Sequence, residues 1–317
     1  MANAIEEALR TGARVVLPAV AEAEVLDVSI ILPAYDEEAA IGDDLDDILK
    51  AMATTALSYE VIVVDDGSRD RTAALAAERP VRLLHHAFNR GNGAARTTGV
   101  RAARGRWVAF TDADRTYPNE RLPEMLAMMA EGADMVIGAR RVEAGTLRVL
   151  RTPAKWFIRK LAEFMTGSRI PDLNSGLRVQ RRDVTLRYLP MLPTSHSWVS
   201  TSTIAFLSAG FTVRWLPIDY FPRVGRSTFH PLRDSYNYLS LVIRAVMYFN
   251  PLKVFLPLSL MMLAAGTGKY VLYDILWRTS GAYVPPMPGT TLALLVTGLQ
   301  ILVIGLLADL IVRRTTV

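Results

Sequence analysis

Arg106-Trp107-Val108-Ala109-Phe110-Thr111-Asp112-Ala113-Asp114 is the stretch on which the reading of this chain turns. An apolar run of strand length ends on two carboxylates one residue apart. Such a pair at the carboxyl end of a strand can reach one hard divalent cation, which takes oxygen ligands and keeps positions open for phosphates. A second apolar run, Val61-Ile62-Val63-Val64, ends on Asp65-Asp66-Gly67-Ser68. Ligands of open α/β sheets bind outside the carboxyl ends of the strands, so both tips are expected to line one crevice.

Working outward, strand-like runs at 25–32, 60–64, 81–84, 106–111 and 135–138 alternate with helical patterns at 39–53, 71–78, 93–103 and 120–130. That alternation predicts an α/β fold with a mainly parallel sheet covered on both faces. The second half is less regular: a helix is expected at 151–165, a strand at 176–180, a helix at 202–209 and a strand at 212–217. Residues 231–252 carry apolar residues every three or four positions and are expected to form an amphipathic helix in a membrane interface.

Two apolar stretches, at about 254–273 and 291–312, are each about 20 residues, long enough to cross a bilayer as a helical hairpin. Lys253 before the pair and Arg313-Arg314 after it place both ends, and everything before them, on the cytoplasmic side. Tyr270, Tyr273, Trp277 and Tyr283 are expected at the opposite interface. Residues 1–24 lack a long apolar core and read as an N-terminal extension, not a signal peptide. The chain has no cysteine, which excludes disulfides and thiolate-held metals. Its net charge of +5 is concentrated. Between Arg140 and Lys160 stand seven basic residues against one acid, Glu143. No nucleic-acid recognition motif accompanies that cluster, so nucleic acid is set aside as a partner.

Three loops complete the crevice. In Pro33-Ala34-Tyr35-Asp36-Glu37-Glu38, a proline and a tyrosine can frame a flat base while a carboxylate accepts from a ribose or a base amino group. In Asp65-Asp66-Gly67-Ser68, glycine allows close backbone approach. Asn89-Arg90-Gly91-Asn92-Gly93 offers Arg90 as a phosphate contact between tight turns. Together with Asp112 and Asp114 these loops predict a nucleoside-diphosphate site that works with Mg²⁺ or Mn²⁺. His85-His86 reads as a strand-edge pair facing opposite ways, and Trp198 as a packing residue or part of an acceptor channel.

In combination these motifs resemble the family 2 glycosyltransferases of the GT-A fold, within them the branch of dolichol-phosphate mannose synthase and the polyprenyl-phosphate glycosyltransferases. The likeness runs from about Val25 to Val224. It includes Asp172-Leu173-Asn174-Ser175-Gly176-Leu177-Arg178 and Arg223-Val224-Gly225-Arg226-Ser227, and the C-terminal hairpin matches several members. It implies a Rossmann-like GT-A catalytic domain over 25–230, the interfacial helix over 231–252 and a transmembrane hairpin over 253–317. By position, Pro33, Tyr35, Glu37, Asp65 and Asp66 would hold the nucleoside, with Ser68, Arg90 and Gly91 completing the nucleotide contacts. Asp112 and Asp114 would be the catalytic, metal-holding pair. Arg140, Arg151, Lys155, Arg223 and Ser227 would bind the acceptor phosphate, and Asp172 and Ser175 would line the sugar. Three positions depart from the family: Asp36 replaces an asparagine, Thr116 a glutamine that assists the metal, and Thr228 a lysine.

The implied activity is inverting, metal-dependent transfer of a sugar from a GDP- or UDP-linked donor to a polyprenyl phosphate at the cytoplasmic membrane face. A hydroxyl-bearing lipid or glycolipid acceptor is the alternative, and a membrane scaffold with a degenerate site a further one. The Gln-x-x-Arg-Trp signature of processive synthases is not present, and neither is the glycine-rich loop of nucleotidyltransferases. Whether the chain forms a homo-oligomer is left open.

Overall fold

A computed structural model describes residues 25–141, 159–160, 162–164, 166–195, 197–223, 251–280 and 289–315. Seven strands form one sheet: β1 (Leu26–Ala34), β2 (Tyr59–Asp65), β3 (Arg82–His85), β4 (Gly105–Phe110), β5 (Met135–Arg140), β6 (Arg178–Arg181) and β7 (Val213–Ile218). Their spatial order is β3-β2-β1-β4-β6-β5-β7. All neighbours run parallel except β6, which is antiparallel to both β4 and β5.

Helices α1 (Ile41–Met52), α2 (Thr72–Ala77) and α4 (Leu122–Ala130) follow β1, β2 and β4; α3 (Asn92–Ala102) follows β3; α5 (Arg182–Tyr188) and α6 (Trp198–Ser208) lie between β6 and β7. The pleat explains the layering, since alternate residues of a strand face opposite sides. In β1, Val28, Ile30 and Leu32 pack with Ile41, Leu45 and Ile48 of α1 and Met125 and Met129 of α4. Ile31 packs the other way, with Ala95 and Val100 of α3 and Trp198 of α6. Both faces of the sheet are therefore covered, as the unbroken apolar strands predict.

Several boundaries differ from expectation for local reasons. Strand β1 runs on through Pro33, whose missing donor is harmless because beyond Ile31 only β2 pairs with it. Helix α6 begins at Trp198, four residues early. Helix α5 has no counterpart among the expected elements. At the C-terminus, α7 (Leu252–Ser280) and α8 (Gly289–Thr315) both outrun the expected spans. Residues 274–280 are the last turns of α7 and not linker, because the first proline of the connection comes only at 285. The 1–24 extension, most of the 151–165 helix and the interfacial segment up to residue 250 lie outside the described residues.

Candidate active site

The carboxyl ends of β1, β2 and β4 carry the three acidic tips to one edge of the sheet. Because β6 is antiparallel, its incoming loop, Asp172 to Leu177, arrives at that same edge: Phe110 of β4 and Ile137 of β5 both pair with Arg178. The segment leaving β7, Asp219 to Arg223, closes the ring.

The first two tips are laced together. Asp36 N–H donates to Ser68 Oγ (3.0 Å), while Arg69 N–H donates back to Asp36 Oδ1 (2.7 Å). Glu38 N–H reaches Asp70 Oδ2 (3.1 Å) and Glu37 N–H reaches Thr72 Oγ1 (2.8 Å). Asp36 stands at φ +53°, a left-handed conformation that asparagine and aspartate tolerate better than most residues. Ser68 thus serves this lacing, and Asp70, which accepts the N–H of Thr72 (2.9 Å), marks the entry to α2.

Asp65 and Asp66 each take one of the two histidines. His85 Nδ1 lies 3.1 Å from Asp65, and His86 bridges Asp66 (2.6 Å) and Thr98 (2.9 Å). Asp66 also accepts the N–H groups of Arg90 (3.0 Å) and Gly91 (2.8 Å). It therefore shapes the third loop from below. Gly91 has φ +95°, and a side chain there would meet the carbonyl of Thr194 at 2.8 Å. Tyr35 is half-buried beside these loops and Arg90 is exposed, whereas Pro33 is buried.

At the β4 tip, Asp112 Oδ1 accepts Arg96 Nη2 (2.6 Å). Arg96 is 2% exposed and lies over the Phe110 ring. The other oxygen of Asp112 is so close to Gly176 that an added Cβ there would stand 2.6 Å away. Asp114 Oδ1 accepts both the backbone N–H (3.2 Å) and the hydroxyl (2.5 Å) of Thr116. Thr116 thus orients Asp114. The guanidinium of Arg223 pairs with Glu37 and stands 3.6 Å from Asp114 Oδ2.

Burial pushes the Asp114 carboxyl up, the charge of Asp112 adds to this, and Thr116 opposes it. Glu37 is pushed up to about 7 by burial, against the pull of Arg223 and with the help of Asp114 and Asp112. Three carboxylates thus crowd between two guanidiniums, Arg96 at Asp112 and Arg223 at Glu37 and Asp114. Among the described residues no cage of three or more His, Cys, Asp or Glu side chains stands ready for a metal. Two hard carboxylates with a surplus of negative charge still fit a cation that completes its shell with phosphate and water.

The residues expected to meet the acceptor divide. Arg140 and Asp172, assigned to different roles, form one forked pair: Nε to Oδ2 at 2.7 Å and Nη2 to Oδ1 at 3.0 Å. Burial alone would raise Asp172, but Arg140 outweighs it and holds the carboxyl below its ordinary value. Arg140 also lies 5.0 Å over the Tyr220 ring. Ser175 is fully buried behind the site and its hydroxyl finds no partner among the described residues. Trp198 packs: it is buried, 5.0 Å from the Phe110 ring, with Nε1 donating to Thr97. Arg151, Lys155 and Ser227 lie outside the described residues.

Sequence reasoning missed Arg96, the buried anchor of Asp112, and Tyr117, whose hydroxyl accepts the N–H of Gly176 (2.7 Å). The small residues Gly93, Ala94 and Ala95 leading into Arg96 were the one available signal for a cation sunk against the sheet.

Residues 29–189, about half the chain, match Glycosyl transferase family 2, and residues 250–313 match the GtrB C-terminal hairpin. The chain belongs to glycosyl transferase family 2. It is a glycosyltransferase with a GT-A fold. A dolichyl-phosphate hexose transferase of Haloferax volcanii is 32% identical over 65% of this chain and 87% of that protein. An undecaprenyl-phosphate 4-deoxy-4-formamido-L-arabinose transferase of Shewanella sediminis is 36% identical, over 50% of this chain and 49% of its own length. Among solved structures, glucosyl-3-phosphoglycerate synthase of Mycobacterium tuberculosis with Mn²⁺, UDP and glucosyl-3-phosphoglycerate superposes with a TM-score of 0.55 at 21% identity, over 69% of this chain and 80% of the synthase. At that identity the likeness bears on the fold alone. Helices α7 and α8 include two stretches long and apolar enough to cross a membrane, Leu252–Tyr273 and Gly289–Val312, and little of either is buried. With the matched hairpin, they support association with a membrane.

Proposed function

We propose that this glycosyltransferase moves a hexose, with inversion, from a nucleoside-diphosphate sugar to a polyprenyl phosphate at the cytoplasmic face of a membrane. The observation that carries the reading is the meeting of Glu37, Asp112 and Asp114 between Arg96 and Arg223 in a domain followed by an apolar hairpin. The polyprenyl-phosphate transferases among its relatives agree with the acceptor.

Asp112 and Asp114 would hold Mg²⁺ or Mn²⁺, which when bound supplies charge neutralisation for the leaving diphosphate. The protein's own part is orientation. Arg96 and Gly176 fix Asp112, Thr116 fixes Asp114, and the laced loops of Tyr35, Glu37, Asp65 and Ser68 shape the nucleoside wall. Arg223 balances the acidic cluster in the free protein. With the acids' charge balanced by a bound cation, the Arg223 guanidinium would be free to meet a phosphate oxygen. Arg140, held by Asp172 and Tyr220, adds positive charge to the same rim, and Arg151, Lys155 and Ser227 are proposed to extend it. A phosphate monoester is already largely ionised at neutral pH, so attack on the anomeric carbon needs no strong general base; a hydroxyl acceptor would.

The test is transfer by detergent-solubilised protein from a panel of radiolabelled nucleotide sugars to polyprenyl phosphate, read as label in the organic phase. Label should appear with one donor class and disappear with Asp114→Asn at an unchanged melting temperature. Transfer by Asp114→Asn at the wild-type rate would remove the cation assignment.

A further inference from the structure

Helix α1 reaches the cation loop through carboxylates. Asp44, 2% exposed, accepts the backbone N–H of Arg115 at Oδ2 (2.9 Å) and Nδ2 of Asn119 at Oδ1 (3.0 Å). Asn119, 1% exposed, in turn accepts the hydroxyl of Thr111 (2.7 Å). Thr111 and Asn119 bracket the loop that carries Asp112 and Asp114, and Asp44 ties both the bracket and the residue after Asp114 to one helix. Arg115 needs such a tie because it stands at φ +59°, a conformation costly for a side chain of its size and maintained only where its surroundings over-determine it. Its guanidinium is held by the same helix, 2.9 Å from Asp43 and 3.5 Å from Asp47. The next residue, Thr116, is the one whose N–H and hydroxyl aim Asp114. Its carbonyl also accepts the N–H of Phe221 (3.0 Å), two residues before Arg223.

We infer that Asp44 and Asn119 are positioning residues for the cation and diphosphate site: through Arg115 and Thr116 they set the direction of the Asp114 carboxylate. The inference rests on the reading of Asp112 and Asp114 given above. Residues that orient metal ligands from behind typically change metal affinity 10–100-fold when altered, and the hydrogen-bond pattern here allows a clean exchange. In the double variant Asp44→Asn/Asn119→Asp, the amide introduced on α1 still accepts from Arg115 through its oxygen. Its nitrogen donates to the carboxylate introduced across from it, and that carboxylate still accepts from Thr111. Every one of these hydrogen bonds is kept.

The experiment measures binding of UDP and of GDP to the full-length protein in detergent while Mn²⁺ is titrated. Calorimetry and the free-Mn²⁺ electron paramagnetic resonance signal are the readouts, with melting temperature recorded in parallel. Asp44→Ala and Asn119→Asp should each weaken Mn²⁺-dependent nucleotide binding by roughly tenfold or more, and the exchanged double variant should return it to the wild-type value. Single variants that melt earlier yet bind Mn²⁺ and nucleotide as the wild type does would overturn the inference. So would a folded double variant that binds as weakly as the singles. Should Asp44→Ala not fold, the near-isosteric Asn119→Asp is compared with the double variant instead. A wild-type protein that binds neither nucleotide with Mn²⁺ would strike the proposed function itself, a separate result.

Discussion

Glu37 and Asp44 show how the site's charge arrangement reaches the stability of the whole fold. Burial pushes both carboxyls up to about 7, from ordinary values of 4.5 and 3.8. Each therefore binds its proton more tightly in the folded chain than in the unfolded one. Between those ordinary values and about 7 the folded state carries more protons, so this contribution to stability is full in acid and is lost as the pH rises through 7. Without nucleotide or divalent cation, the melting temperature should thus drop between pH 5.5 and pH 8, by on the order of a few °C. Asp44→Asn, which has no proton to lose, should flatten that slope whatever its effect on the absolute value. Calorimetric scans at several pH values decide it: parallel slopes for the variant and the wild type would mean that Asp44 does not hold a proton near neutrality.

Among the elements, β6 and the loop before it close the sheet edge that carries the acidic tips. Gly176 shows the tolerance of that closure. A Cβ there would stand 2.6 Å from Asp112 Oδ2 and 3.1 Å from the Tyr117 ring, so Gly176→Ala must displace the carboxylate or the loop. Misplacement by about 1 Å can cost a factor of about 100 in rate, and a loss of that order is expected in the organic-phase assay. Gly132→Ala is the matched control: its φ is +100° with nothing within 4 Å, so it should lower the melting temperature and leave transfer intact. If both variants transfer equally well, contact with Gly176 does not fix Asp112. The same comparison shows what was legible in the sequence. The acid-tipped strands β1, β2 and β4 were plain, because a run of Val and Ile ending on Asp is a local signal. The position of β6 between β4 and β5 was not, since pairing partners far apart in the chain leave no mark on either. Helix α5 escaped because seven residues, three of them charged, show no period. Arg96 and Asp112 stand 16 residues apart in the chain, and Arg140 and Asp172 stand 32 apart, so neither pairing leaves a local mark in the sequence.

At the scale of the whole molecule, the hairpin and the charges at its ends carry a prediction about the side of a membrane on which the site works. The backbones of α7 and α8 approach closely at glycine: an added Cβ at Gly298 would meet Leu263 at 2.9 Å, and one at Gly305 would meet Phe255 at 2.6 Å. Ser259 donates to the carbonyl of Gly298 (2.8 Å), which closes a polar group inside the pair. Lys253, at the head of α7, reaches the carbonyl of Phe164 at 3.5 Å and so touches the catalytic domain. A 29-residue helix is about 43 Å long at 1.5 Å per residue, against roughly 30 Å of hydrocarbon, so α7 is longer than a crossing requires. Lys253, Arg313 and Arg314 lie at the two chain ends of the hairpin, and basic residues are retained on the cytoplasmic side. The catalytic domain is therefore expected in the cytoplasm and the α7–α8 connection outside it. Because the chain has no cysteine, single cysteines report this without background. Gly289→Cys, exposed at the start of α8, should react with a membrane-impermeant maleimide in intact cells, whereas Ala53→Cys, exposed after α1, should react only once the membrane is opened. The reverse pattern would place the site opposite the side argued here, and labelling of both in intact cells would mean that the hairpin does not separate them.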